Sequence, residues 1–145
     1  MNRDIVERYK LRKTEAFTDL LRLLPNTKSY TYSKLTNSLK SMGHSVGKAT
    51  VIRYMNWLEM SFFLSHVEVF SANVKNRIQT MKKSYIVDNY FSSQYNSSFS
   101  ANLGHAMEQL VFNSLHIQSA WDPRLEIFYW KRTIILRRKV VIYYV

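Results

Sequence analysis

Few side chains in this sequence have the types and spacings that bond-breaking chemistry requires. The segment Gly43-His44-Ser45-Val46-Gly47-Lys48-Ala49-Thr50 comes nearest to a phosphate-binding loop. Such a loop needs four residues between its glycines and a Ser or Thr directly after the Lys, because that hydroxyl binds magnesium. Here three residues intervene, Ala49 follows the Lys, and a helical pattern rather than a strand precedes it, so no nucleotide site is expected. Metal-dependent cleavage of DNA needs at least two converging carboxylates to hold the cation. Glu108 is the one candidate, since Asp122 and Glu126 fall in or beside a loop. His44, His66, His105 and His116 have no i, i+4 pairing, which leaves zinc without support. The chain has no Cys, so disulfides, thiolate ligands and thiol nucleophiles are excluded, and a reducing cytoplasm fits. No cofactor, no metal and no catalytic residue are expected, and the chain reads as a non-enzyme.

Binding chemistry is better represented. The net charge is +11 over 145 residues, an excess that favours polyanionic partners through counterion release. Between Lys28 and Glu59 five cations (Lys28, Lys34, Lys40, Lys48, Arg53) face Glu59 alone. Between Ser71 and Lys83 stand Lys75, Arg77, Lys82 and Lys83 with no acid. A third cluster holds Lys131, Arg132, Arg137, Arg138 and Lys139, whereas residues 84–130 carry four acids and only Arg124. A solvated basic surface is the alternative for each cluster.

The elements that must position these cations follow from periodicity. Thr14 to Leu24 reads as a helix with Phe17, Leu20, Leu21 and Leu24 on its buried side, ended by Pro25-Asn26. Thr31 to Met42 places Leu35, Leu39 and Met42 on one face. Gly43-His44 breaks it, and Ser45 is positioned to cap a helix running to Met60 with Val51, Met55 and Leu58 inward. Its other face presents Lys48, Thr50, Arg53 and Asn56, groups that reach phosphates and base edges in a major groove. Phe62 to Phe70 and Ser84 to Asp88 read as strands. Three helices and a hairpin make a winged helix-turn-helix, in which Asn73 to Lys83 is the wing. Trp57 and Phe62 are expected in the core rather than stacked on bases. Asp4 to Arg12 is expected to form a lead-in helix, so the first unit spans residues 1–91.

Ser92 to Ser100 is uncharged, rich in Ser and Asn, and reads as a linker. Beyond it, Leu103, Met107, Leu110, Val111 and Leu115 form a helical stripe, and Leu125 to Trp130 and Lys139 to Val145 read as strands. A unit of about 45 residues is too small for a robust core of its own and should pack on the first unit or on another chain. The apolar run Val140 to Val145 is expected to pair with Leu125 to Trp130, its free edge covered in a homodimer. No apolar run approaches about 18 residues, so no membrane span is expected.

Six segments in order carry a family resemblance. They are Arg3-Asp4-Ile5-Val6-Glu7-Arg8-Tyr9, Tyr32-Ser33-Lys34-Leu35, Thr50-Val51-Ile52-Arg53-Tyr54 with Leu58-Glu59, Tyr85-Ile86-Val87-Asp88, Gly104 to Phe112, and Ile127-Phe128-Tyr129-Trp130. Together they resemble the C-terminal half of a prokaryotic AAA-type ATPase family, a winged helix followed by a restriction-endonuclease-like module. The resemblance implies an α+β fold, with a winged helix-turn-helix and a small, incomplete α/β nuclease-like module at 101–145. It gives this chain no nucleotide chemistry, because no phosphate-binding loop precedes Arg3. In the family pattern an Asp falls where Val141 stands, and Glu108 stands at the helix Glu. The chain therefore reads as a truncated, non-catalytic copy that binds double-stranded DNA. A protein-interaction module and a residual magnesium-dependent nuclease are the alternatives.

Overall fold

The computed structural model describes residues 14–87, 103–130 and 140–142. The expected lead-in helix, the linker and the third basic cluster lie outside these described residues.

The fold is mixed α+β. Helix α1, Thr14–Leu23, buries Ala16, Phe17 and Leu20 and closes in a 3-10 turn over Leu24–Asn26, where Pro25 cannot continue the helical hydrogen bonding. Helix α2, Tyr32–Ser41, starts where the Thr31 hydroxyl accepts the amide of Lys34 at 3.1 Å. Helix α3, Lys48–Met60, packs Val51, Tyr54, Met55 and Leu58 into the same core as Leu35 and Leu39.

Both α2 and α3 stop in the same way. His44 N–H donates to Leu39 and Gly43 N–H to Lys40; after α3, Phe63 N–H donates to Leu58 and Phe62 N–H to Glu59. These are paired Schellman closures, each needing a left-handed residue, which is Gly43 (φ 90) after α2 and Phe62 (φ 57) after α3.

That geometry corrects three expectations. Phe62 is turned out to solvent, 79% exposed, and Phe63 takes the core place one residue later. Met42, at the end of α2, is exposed rather than inward. Ser45 does not cap α3: the chain stays extended through Gly47, which is the N-cap without a side-chain bond. The reason is Val46, which is buried in the core and stands, relative to Val51, at the two positions of a hydrophobic staple.

The Phe62 to Asp88 region forms the expected antiparallel pair, with β2 at Leu64–Val67 and β3 at Lys82–Ile86, Leu64 opposite Ile86 and Val67 opposite Lys83. A two-residue strand that the sequence reading lacks, β1 at Ser29–Tyr30, pairs with the other edge of β3, giving the order β1-β3-β2. The connection from β2 to β3 carries a short helix, α4 at Val74–Gln79, whose first turn is capped by Asn73.

The sheet is buried on both faces. Tyr30, Leu64 and Ile86 face the helices α1 to α3. Val67, Val69 and Tyr85 face Phe112 of α5, Leu103–Trp121, and Tyr129 of β4, Ile127–Tyr129. Strand β4 continues the sheet edge, since Tyr129 N–H donates to Glu68 at 3.0 Å and Phe70 N–H donates to Tyr129 at 2.8 Å. Its other side pairs in parallel with β5, Val140–Ile142, so the two C-terminal strands do pair as expected. The second unit thus packs on the first.

Of the expected α5 stripe Leu115 packs on the core, but its middle is turned away. Met107, Leu110 and Val111 face solvent, while Gln109 and Phe112 are buried and Glu108 nearly so. Gln109 Nε2 donates to the Ile86 carbonyl at 2.6 Å, and Phe112 stacks on Tyr85 with ring centroids 4.1 Å apart. Among the described residues no helix is long and apolar enough to cross a membrane.

Candidate functional site

Helix α3 turns its apolar side to the core and its polar side outward. Lys48, Arg53 and Asn56 are exposed and Thr50 is half-buried; Arg53 and Asn56 lie opposite Val51, Met55 and Leu58, while Lys48, at the helix start, and Thr50 stand to either side of them. Neither Lys48 nor Arg53 forms an ion pair among the described residues. Lys48 is the first residue of the helix, and because Gly47 brings no capping side chain, its amide end is not closed by one.

The connection between β2 and β3 adds Lys75, which is exposed, and Arg77, which is half-buried with Nε free of any hydrogen-bond partner among the described residues. Arg77 lies close enough to Glu68 to help lower its pKa, after the larger effect of Lys82.

Two of the eight expected DNA-contacting residues do not join this surface. Lys82 is buried on the helical face of the sheet and bonded to Glu68, which holds that carboxyl below its ordinary range. Lys83 points to the other face, where Nζ donates to Glu108 Oε1 at 2.6 Å and sits 5.9 Å from the centre of the Tyr129 ring. Adjacent strand residues point to opposite faces, and here each face supplies a carboxylate. Both lysines hold the sheet to its neighbours rather than offering a cation to solvent.

The same pattern recurs across the first unit. Asp19 accepts from His44 at 2.7 Å and from Arg22 at 3.0 Å, the His44 bond being the main reason its pKa falls, and Glu59 bonds His66. Three of its acids, Asp19, Glu59 and Glu68, are thereby engaged with cations or imidazoles of the same chain. The exposed remainder around α2, α3 and α4 (Lys28, Lys34, Lys40, Lys48, Arg53 and Lys75) keeps its positive field.

Glu108, the candidate carboxylate, is tied down as well. Its Oε1 accepts the Tyr85 hydroxyl at 2.6 Å in addition to Lys83. Burial first and the Glu108 carboxylate second push the Tyr85 pKa up, so the hydroxyl stays a donor. His105, stacked beside Tyr85, has its pKa lowered by burial. Among the described residues no three His, Asp or Glu side chains converge as a metal site would require. The segment resembling a phosphate loop is the closure of α2 followed by extended chain, with no strand before it.

A cavity of about 300 Å³ lies between the end of α1 and α2, lined by Asn26, Thr27, Lys28, Ser29, Lys34 and Ser38 among others. Sequence reasoning did not single it out, because its lining comes from a turn, a two-residue strand and one side of a helix.

A family model described as a domain of unknown function (DUF8612) matches residues 1–92. The chain belongs to this family. The matched region holds α1 to α4 and the three-stranded sheet, whereas α5, β4 and β5 lie beyond it. The family description assigns no activity. No curated protein and no solved structure matches the chain.

Proposed function

We propose that the chain binds double-stranded DNA through a winged helix, with α3 as the helix that enters the major groove, and that it acts by binding rather than by catalysis. The observation that carries this reading is the exposed face of α3, where Lys48, Arg53 and Asn56 project from the second helix of a helix, turn, helix unit without acidic partners. The element order and the β1-β3-β2 sheet are those a winged helix uses, and the basic connection carrying Lys75 and Arg77 stands where its wing would be. The non-catalytic reading is supported by Glu108, whose carboxylate already serves Lys83 and Tyr85. Descent from the C-terminal half of an AAA-type ATPase remains part of this proposal.

Titration of a fluorescent duplex at several salt concentrations tests it. With three to five phosphates neutralised, log K against log salt should slope at about −3 to −4.5. Arg53→Ala should weaken binding by about 1 to 3 kcal/mol if the guanidinium reads a base, whereas Lys82→Ala should leave the salt slope unchanged because that ammonium is buried. Binding that ignores salt, or its absence at low salt, would overturn the proposal.

A further inference from the structure

The solvent face of α5 carries an apolar stripe interrupted only by Ser114 and Gln118. Met107, Leu110, Val111, Ile117 and Trp121 are between 53% and 85% exposed, and all lie opposite the side that docks on the sheet. Together they present on the order of 600 Å² of apolar surface, at the top of what the largest patch on a typical monomer reaches.

The stripe is symmetric about Ser114. Met107 and Trp121 stand seven residues to either side of it, Leu110 and Gln118 four, Val111 and Ile117 three. An antiparallel second copy crossing at Ser114 therefore sets Met107 against Trp121, Val111 against Ile117, and Leu110 against the aliphatic stem of Gln118, at both ends at once. That is the self-complementarity a two-fold interface demands. Ser114 suits the crossing point, being small and having its hydroxyl already bonded to the Leu110 carbonyl at 3.0 Å, so it can be covered without losing a partner.

Charge points to the same occupant. The single ionisable residue of α5 besides its histidines is Glu108, which faces Lys83 and Tyr85 on the docked side, so the stripe offers nothing for a charged peptide or a nucleic acid to pair with. Fully covered, two such stripes bury about 1,200 Å² in total, which reaches the lower bound for a stable specific interface.

We infer that this face is a homodimer interface in which α5 of one chain packs antiparallel on α5 of a second copy, crossing at Ser114. The inference does not rest on DNA binding and is tested without DNA.

Sedimentation of the full chain over micromolar concentrations should show a monomer–dimer equilibrium. The Leu110→Lys/Ile117→Lys variant should weaken self-association at least a hundredfold, and Ile78→Lys, at an equally exposed site on α4, should not. Since the chain has no cysteine, cross-linking gives a second readout independent of any folding defect. Ser114→Cys should oxidise to a covalent dimer. Met107→Cys mixed with Trp121→Cys should cross-link, while neither should cross-link to itself, because like positions in the antiparallel pair lie about 21 Å apart. A monomer at every concentration, a dimer that survives the double lysine variant, or self-linking of Met107→Cys would each overturn the inference.

Discussion

The carboxylate of Glu108 shows how a residue with the chemistry of a metal ligand becomes a structural one. Its side chain is 10% exposed and that of Lys83 15%, so the pair is largely removed from water, and Tyr85 adds a second donor to the same oxygen. Removing one member of such a pair leaves the other charge buried alone. Glu108→Ala should therefore cost about 3 kcal/mol in urea unfolding, and Lys83→Met combined with Glu108→Leu should recover much of the loss. A cost below about 0.5 kcal/mol would mean that the pair is solvated, as an exposed one would be. This partnership was not legible in the sequence, because Lys83 and Glu108 are 25 residues apart and nothing local marks either as buried. The same holds for Lys82 and Glu68, 14 residues apart. Lys48, Arg53 and Asn56 were legible, since the apolar period of their own helix determines which side faces out.

Local signals placed α1, α2 and α3 within a few residues because each has its own stop signal and a regular apolar period. Elements held by distant partners were harder to read. Strand β1 is two residues long and exists only because β3 pairs with it. Helix α5 was placed correctly but faced wrongly for most of its stripe, because its docked side is built from Phe112 with Glu108 and Gln109, whose polar groups find partners on the sheet, while Met107, Leu110 and Val111 point to solvent and only Leu115 packs inward. The closures of α2 and α3 allow a direct comparison, since the same hydrogen bonds are made around Gly43 in one and Phe62 in the other. A left-handed backbone costs a side-chain-bearing residue about 1 kcal/mol or more relative to glycine, and Phe62 is 79% exposed, so its ring contributes little packing. Phe62→Gly should raise stability by about 0.5 to 1 kcal/mol in the same unfolding measurement. Gly43→Phe should lower it by a similar or larger amount.

At the scale of the whole molecule, the matched family region and the segment beyond it share one core. Val67, Val69 and Tyr85 come from residues 1–92, and Phe112 and Tyr129 come from beyond them. The helical layer of the first unit would survive without α5 and β4, but one face of the sheet would lose its cover. The two cores share β2 and β3, so unfolding should be a single cooperative transition followed alike by tryptophan fluorescence and by circular dichroism. Phe70 lies between Phe128 and Trp130 at the sheet edge, at centroid distances of 5.6 and 5.1 Å, which adds an aromatic clasp to the two backbone bonds of Tyr129. That clasp has a practical meaning for anyone handling the protein. A protease cut anywhere between Val87 and Leu103 should leave two fragments that still migrate as one particle in native conditions and part only in denaturant. Expressed alone, the segment 1–92 should precipitate, its sheet offering bare tyrosine and valine to the next molecule.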